Sequence, residues 1–168
     1  MEGQDMKRIT LITTLMALFA VPAIAQDMYA GLKLGSSSYG LASTTAIGGF
    51  FGYHLNSVDK HLSIEGEIMS LGSATYFGTN QSINSFGVNG VYSYPIDPKL
   101  SVFGKAGLSW VNWTYSNPNN NPAWNTSSSS LGINLGAGVD YKITQQFTVR
   151  GGYDTDTSLL YAAGMVNF

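Results

Sequence analysis

The chain has 168 residues, a formal net charge of −2 and no cysteine. This charge excludes the strongly basic surface with which proteins bind nucleic acid, and the lack of cysteine excludes disulfides and thiolate metal sites. Charged residues make up 11% of the chain, whereas ordinary soluble domains carry about 25%. A surface that meets water throughout normally needs more charge than this.

The N-terminus has the parts of a secretory signal peptide. Lys7 and Arg8 precede an apolar run at residues 9–20, and Ala23 and Ala25 are the small residues of a cleavage site. We therefore predict a signal peptide at residues 1–25 and one mature domain at residues 26–168. Residues 1–5 stand ahead of Met6, which itself makes a normal signal opening. A retained anchor helix is the alternative.

Eight segments of the mature part alternate between apolar residues and small or polar ones, which is the period-two pattern of β-strands. In chain order they are residues 27–38, 47–55, 62–69, 83–94, 99–115, 131–141, 147–154 and 160–168. A tilted strand crosses a membrane in about 9–11 residues, and no run after Ala25 approaches the roughly 20 apolar residues of a membrane helix. Export, few charges and this alternation together predict strands whose apolar side meets lipid.

The connections between these segments alternate in character. Those after strands two, four and six are short, whereas residues 36–45, 72–80 and 116–130 are rich in Ser, Asn, Gly and Thr and predict longer loops. Short turns at one end and long loops at the other are typical of bacterial outer-membrane barrels. The sequence thus predicts an all-β fold, an eight-stranded antiparallel up-and-down transmembrane β-barrel with both termini on the periplasmic side.

The chain resembles the small outer-membrane β-barrel proteins of the opacity-protein or porin-like type, related to the barrel domain of outer membrane protein A. The resemblance rests on the signal-peptide end, the SIEGE segment at residues 63–67, the LGAGVDYKITQQFTVRGGYD stretch at residues 135–154 and the terminal Phe168. It implies residence in the outer membrane of a Gram-negative bacterium and contact with its lipid. It also implies that Phe168 is the signal read by the barrel assembly machinery.

Charged residues occupy the polar side of four predicted strands. They are Lys33, Glu65, Glu67, Lys105, Arg150 and Asp154. The interior of an eight-stranded barrel is just wide enough for side chains to fill it, and buried charges are strongly unfavourable without partners. We therefore expect these three cations and three anions to form a neutral ion-pair network, which either fixes the barrel register or gates a thin proton or water path.

An enzyme is the least favoured of the functional classes. Barrels that modify lipids need a nucleophile and a base, usually His, facing the outer leaflet, but His54 and His61 flank a turn predicted on the periplasmic side. No glycine-rich stretch has the strand-to-helix context of a phosphate cradle. We accordingly expect no catalytic residue, no metal site and no cofactor.

The predicted external loops offer the best surface for a partner. Their aromatic residues stand among Asn, Ser and Thr, a mixture suited to sugars, proteins or lipid head groups; they are Tyr76, Phe77, Trp113, Tyr115 and Trp124. Packing of the loops on themselves is the structural alternative. The sequence thus favours a structural or surface-interaction role with possible host or surface ligands, ahead of a narrow porin-like channel for ions or small solutes and a soluble lipid-binding barrel.

Overall fold

A computed structural model describes residues 27–39, 42–76, 79–116 and 126–168. The predicted signal peptide therefore lies outside the described residues. Eight strands follow one another in chain order: β1 (Met28–Tyr39), β2 (Ala42–His54), β3 (Leu62–Tyr76), β4 (Thr79–Pro95), β5 (Leu100–Ser116), β6 (Thr126–Lys142), β7 (Phe147–Asp154) and β8 (Leu159–Asn167). Each strand pairs antiparallel with the next, and β8 pairs with β1. The predicted closed eight-stranded barrel is confirmed.

The two faces of the wall have the composition that the alternation predicts. Large apolar side chains cover the outside; they include Leu32, Ile47, Ile68, Val88, Leu108, Ile133, Val149 and Leu160, which are 39–71% exposed. Where neighbouring strands of the barrel pair, these side chains can meet hydrocarbon without exposing backbone polar groups to it. Among the described residues no helix is long and apolar enough to cross a membrane.

The two ends of the barrel differ. We call the end that carries Met28, Phe168 and the turns at 55–61, 96–99 and 143–146 the terminus end, and the opposite end the loop end. The chain closes at the terminus end, where the Phe168 amide donates to the Met28 carbonyl at 2.9 Å. A girdle of outward aromatic rings lies there, formed by Tyr53, Tyr92, Tyr94, Tyr141 and Phe147. Such girdles mark the interface between membrane and water.

The loop end corrects the predicted strand limits. The prediction of long loops at residues 36–45 and 72–80 is wrong, because β1 and β2 pair as far as Tyr39 with Ala42, and β3 and β4 pair as far as Tyr76 with Thr79. Residues 126–130 of the third predicted loop belong to β6 and pair with β5. Beyond the membrane both faces of a strand meet water, so strand pairing continues without the alternation that reveals it in the sequence.

One irregularity interrupts the upper part of β3. The register against β4 shifts between Ser70 and Ser73, and Gly72 between them has a φ of +91°. One type of β-bulge has a residue with positive φ at this place, and glycine adopts that conformation at no steric cost. Leu71, beside Gly72, accepts a bond on its carbonyl oxygen from the Thr44 hydroxyl at 2.5 Å, which ties the bulge to β2.

Candidate functional site

The six charged residues predicted for the interior all point into the barrel. None is more than 7% exposed, and they come from β1, β3, β5 and β7. Their inward direction follows from the strand period, since each lies at the opposite parity to the apolar residues of its strand. A seventh charged side chain, Asp140 of β6, is buried with them at 6% exposure. We call these seven residues the ionic layer.

Arg150 holds the part of the ionic layer nearest the terminus end. Its Nε and Nη2 donate to the two carboxylate oxygens of Asp140 at 2.8 and 3.1 Å, and its Nη1 donates to Glu65 Oε2 at 2.7 Å. A planar guanidinium suits this two-pronged contact, which fixes direction as well as charge. Tyr29 also donates its hydroxyl to Glu65 Oε2, at 3.1 Å.

Two lysines hold the part nearer the loop end. Lys105 Nζ lies 3.0 Å from Glu67 Oε2 and 2.8 Å from Asp154 Oδ2. Lys33 donates to the same Glu67 oxygen and lies 3.6 Å from Asp154 Oδ2. Its Nζ is also 3.9 Å from Glu65 Oε1. Through this contact the lysine part and the arginine part form one connected network across five strands.

The ionic layer is not neutral when all its members are ionised, so the expected balance of three cations and three anions is wrong. Asp140 brings the carboxylates to four against three cations. Sequence reasoning missed it although a signal was present, because the alternation that sends Val139 and Tyr141 outward sends Asp140 inward. Two carboxylate oxygens of the layer, Glu65 Oε1 and Asp154 Oδ1, accept no hydrogen bond among the described residues.

Aromatic rings line the cations on the inner wall. Lys33 Nζ lies 4.5 Å from the centre of the Tyr161 ring, and the Arg150 guanidinium lies 4.3 Å from that of Phe103. Phe50 approaches both cations, at 5.2 and 5.4 Å. The face of an aromatic ring attracts a cation, and the attraction grows when water is excluded. The rings therefore stabilise the sides of the cations that contact no carboxylate.

Above the ionic layer, toward the loop end, the large buried side chains are apolar, with small polar ones such as Ser37 and Ser85 between them. Met69, Leu71, Ile83, Val111 and Leu159 are buried there, and Trp113 packs against them. We call these five buried residues the apolar layer. An ion that entered from the loop end would have to lose its water to pass it, which is costly. The interior is thus filled by side chains at two successive levels.

Comparisons with known proteins agree with this architecture. The family model described as the outer membrane protein beta-barrel domain matches residues 11–165. The chain belongs to this family. A search of curated proteins found no match.

Solved structures of the same fold share little sequence with this chain. The neisserial surface protein A is 16% identical with a TM-score of 0.62, over 84% of this chain and 96% of its own. The N-terminal barrel domain of Pseudomonas aeruginosa OprF is 18% identical with a TM-score of 0.59, over 83% and 96%. The attachment invasion locus protein Ail of Yersinia pestis, solved with the heparin analogue sucrose octasulfate, is 12% identical with a TM-score of 0.54, over 83% and 93%. These likenesses establish the fold, and the family places the chain in the bacterial outer membrane.

The three described aromatic residues among those predicted to make contacts in the external loops lie on strands. Trp113 and Tyr115 lie on β5, both half-buried and at the inward parity of that strand. Trp113 therefore lines the mouth of the barrel and packs on its interior cluster. Tyr76 ends β3, and Phe77 and Trp124 lie outside the described residues. Of the five residues, the structure thus places Trp113 and Tyr115 together, on the inner wall of the barrel.

The histidines and the C-terminus lie at the terminus end. His54 Nδ1 is 2.8 Å from the Ser63 hydroxyl, and its ring centre is 5.0 Å from that of Tyr29. His61 packs edge-on against Tyr92 and Tyr94. Among the described residues no three metal-ligating side chains come together. The role of Phe168 in assembly stays a prediction.

From residue 27 onward, positive charge is confined to two places in the chain. Lys33, Lys105 and Arg150 belong to the ionic layer, and Lys60, Lys99 and Lys142 lie at the terminus end. The sequence contains no lysine or arginine at residues 34–59, 61–98 or 106–141, which include three of the four connections at the loop end. The fourth, between β7 and β8, has Asp156 as its charged residue, and that side chain is half-buried. The loop end is therefore almost uncharged.

Proposed function

We propose that this protein is a closed barrel without enzymatic activity, which fills a structural and surface-interaction role in the outer membrane. The filled interior is the observation that carries the proposal. Seven charged side chains and five buried apolar ones occupy successive levels of the barrel, and this filling supports an interior that does not conduct ions. A filled interior also leaves no room for the lipid that a soluble carrier would hold.

Electrostatics support a role for the ionic layer in fixing the barrel rather than in conduction. Each cation has at least two partners: Lys33 and Lys105 share Glu67 and Asp154, and Arg150 joins Asp140 to Glu65. Removing one partner of a buried pair costs about 3–5 kcal/mol. The free energy needed to open a gate must be small enough for thermal motion or a ligand to supply. Opening this network would break contacts among five strands at once.

The position of the histidines supports the lack of enzymatic activity. Both histidines lie at the terminus end, and His54 Nδ1 contacts the Ser63 hydroxyl. Most of the charged side chains that could transfer a proton are paired in the ionic layer. A lipid substrate in the outer leaflet would lie near the loop end, where the described residues offer Ser, Thr and Asn, no cation or histidine, and Asp156 as the one carboxylate outside the ionic layer.

Planar-bilayer recording tests the proposal against the alternative of a narrow channel. We expect purified wild-type protein to give no discrete current steps at about 100 mV. The variant Leu71→Ser with Val111→Ser should admit water to the apolar layer and raise leak current, whereas Leu108→Ser, which faces outward, should not. Reproducible ion-selective steps from the wild-type protein, altered by Glu67→Gln, would establish a channel and defeat the proposal.

The loop end supports a partner without strong charge. Ail was solved with a sulfated heparin analogue, and binding a polyanion requires lysine or arginine to pair with its sulfates. In this chain the cations lie in the ionic layer and at the terminus end. We propose that the partner of this family member is uncharged or nearly so, and that it is recognised by hydrogen bonds and aromatic contacts at the loop end.

A further inference from the structure

The wall of the barrel is much taller on one side than on the other. β6 has 17 residues and its neighbour β7 has 8. The two strands pair only from Gly136 to Lys142 on the β6 side, so residues 126–135 rise above β7. β8 pairs with β1 no higher than Leu159 with Ser37. A notch thus opens between upper β6 and β1, with the Thr155–Ser158 turn as its floor.

The edge of β6 that borders this notch carries unpaired backbone groups. Leu135 shows which residues face it: its carbonyl accepts from the Thr155 amide at 2.8 Å, and its amide donates to the Thr155 hydroxyl at 3.1 Å. Successive residues of a strand present their backbone groups to opposite sides. Therefore Ile133, Leu131, Ser129 and Ser127 face the notch, and within the described part of the chain their amides and carbonyls bond to nothing there. We call these four residues the open edge.

Residues 126–134 carry none of the features that usually protect such an edge. Natural proteins usually block such edges with lysine, proline, a bulge or an inward charge, but residues 126–134 are TSSSSLGIN and pair with β5 without a register shift. Leu131 and Ile133 project outward and are 58% and 71% exposed. Their backbone groups therefore lie where the apolar belt ends, and leaving such groups unpaired next to lipid is costly.

The spacing of the backbone groups along the open edge indicates which class of partner fits it. The open edge repeats an amide and a carbonyl about every 6.8 Å, twice the rise of a strand residue. Another extended backbone matches this repeat, whereas the hydroxyls of a sugar have no such spacing. The notch spans the places of two missing strands, each about 4.8 Å wide, so it has room for an added strand. The uncharged edge favours an uncharged segment.

A second copy of this chain is a poor occupant. Strands of small membrane barrels tilt by about 35–45° from the barrel axis. Two copies in one membrane are related by an axis along the membrane normal, so their β6 strands would cross at roughly twice that tilt. Such strands cannot pair over more than one or two residues. The occupant is therefore a segment of another protein.

We propose that the open edge of β6 binds an extended, uncharged polypeptide segment of another protein by β-strand addition. This inference rests on the surface-interaction part of the proposed function and names the class of its partner. The added strand continues the line of β7 upward from Thr155 and bonds to Ile133, Leu131, Ser129 and Ser127. Main-chain bonds of this kind supply affinity, and side-chain pockets supply selectivity.

Amide hydrogen exchange of the whole mature protein in micelles tests whether the edge is free. The amides of Ser128 and Ser130 point to β5 and should exchange slowly, whereas those of Ser129 and Leu131 should exchange at least about tenfold faster because they lack a partner. Slow exchange at Ser129 and Leu131 would mean that the chain already covers its own edge, and would overturn the proposal.

A proline variant tests whether the edge binds a strand. The Ser129 amide points to the notch, so Ser129→Pro removes one donor of the open edge without breaking the β5 ladder. The control Ser129→Ala keeps the donor. The probe is a phage library of seven-residue peptides drawn from Ser, Thr, Asn, Val, Ile and Tyr. We expect selected clones to bind wild type and Ser129→Ala equally and to lose at least tenfold on Ser129→Pro.

Two outcomes would contradict strand addition. One is the lack of any enriched clone on the folded wild-type protein, and the other is equal binding to Ser129→Pro. Heat-modifiable migration on gels verifies that each variant is folded. Neither outcome bears on the bilayer recording, so a failure of this inference is distinguishable from a conducting barrel.

Discussion

The lower interior and the upper wall of this barrel differ in whether their polar groups have partners within the molecule. In the ionic layer every charged side chain has an ion-pair partner and the barrel closes around it. At the open edge of β6 four residues present backbone groups to no described partner. Buried polar groups generally need hydrogen-bond partners within the molecule, whereas groups at the water interface can bond to water until a partner binds. The difference separates what holds the barrel together from what is left for recognition.

The substitutions that follow test the closed half of this comparison. If the ionic layer holds the strands in register, each substitution in it should lower the free energy of unfolding in proportion to the ion-pair partners that are removed. Inward positions should also be sensitive where outward neighbours are not. Substitutions in the interior are therefore compared with control substitutions at nearby positions.

Arg150→Ala should have the largest effect. It leaves Asp140 without its two-pronged partner and Glu65 without its 2.7 Å contact, so we expect a loss of about 3–5 kcal/mol in the free energy of unfolding. Urea titration in detergent micelles, read by the gel shift between folded and unfolded forms, measures it. Val149→Ala, an outward neighbour, should change little. An unchanged urea midpoint for Arg150→Ala would show that the ionic layer is dispensable.

A double substitution sharpens this result. Asp140→Ala added to Arg150→Ala removes the carboxylate that the first change stranded. Because the two residues are in direct contact, their effects should not add, and the double variant should be more stable than the sum of the single losses. Simple additivity would indicate that the two side chains act independently.

The sequence predicts the closed half well because hydrocarbon outside and filled space inside impose a strict period of two. That alternation placed Lys33, Lys105 and Arg150 inward without any structural information. Asp140 lies within the predicted strand 131–141, on its polar side, but it was not counted among the interior charges. Which carboxylate meets which cation depends on the stagger of the strands, and no pattern within a single strand reveals it.

The loop end was predicted poorly for a physical reason. Residues 36–45 and 72–80 are rich in Ser, Thr and Gly, and such a composition is also that of a loop. The structure continues the strands there. Trp113 was assigned to a loop by the same argument, although its parity with Lys105 places it inside. The height difference between β6 and β7 follows from strand lengths that polar sequences do not mark.

Two adjacent glycines test the sensitivity of inward positions. A Cβ on Gly138 would lie 2.1 Å from the Gly151 carbonyl oxygen, whereas a Cβ on Gly104 would meet nothing within 4 Å. Gly138→Ala must shift the backbone of β7, so we expect a loss of about 1–3 kcal/mol. Gly104→Ala should be neutral or stabilising by up to about 1 kcal/mol, because glycine weakens a strand. The same urea titration measures both, and equal midpoints would contradict close packing inside.

Two tyrosines test the smallest difference, that between a paired and an unpaired hydroxyl. Tyr29 donates to Glu65 Oε2, whereas the buried Tyr161 hydroxyl has no partner among the described residues. Tyr29→Phe should lower the free energy of unfolding by about 1 kcal/mol, and Tyr161→Phe should leave it unchanged or raise it slightly, because an unbonded buried hydroxyl is itself unfavourable. Both variants keep the ring that faces a cation, at 5.9 Å for Arg150 over Tyr29 and 4.5 Å for Lys33 over Tyr161. Any difference between their urea midpoints therefore reports the hydroxyl alone, and a larger loss for Tyr161→Phe would mean that a bound water completes its hydrogen bonding inside the barrel.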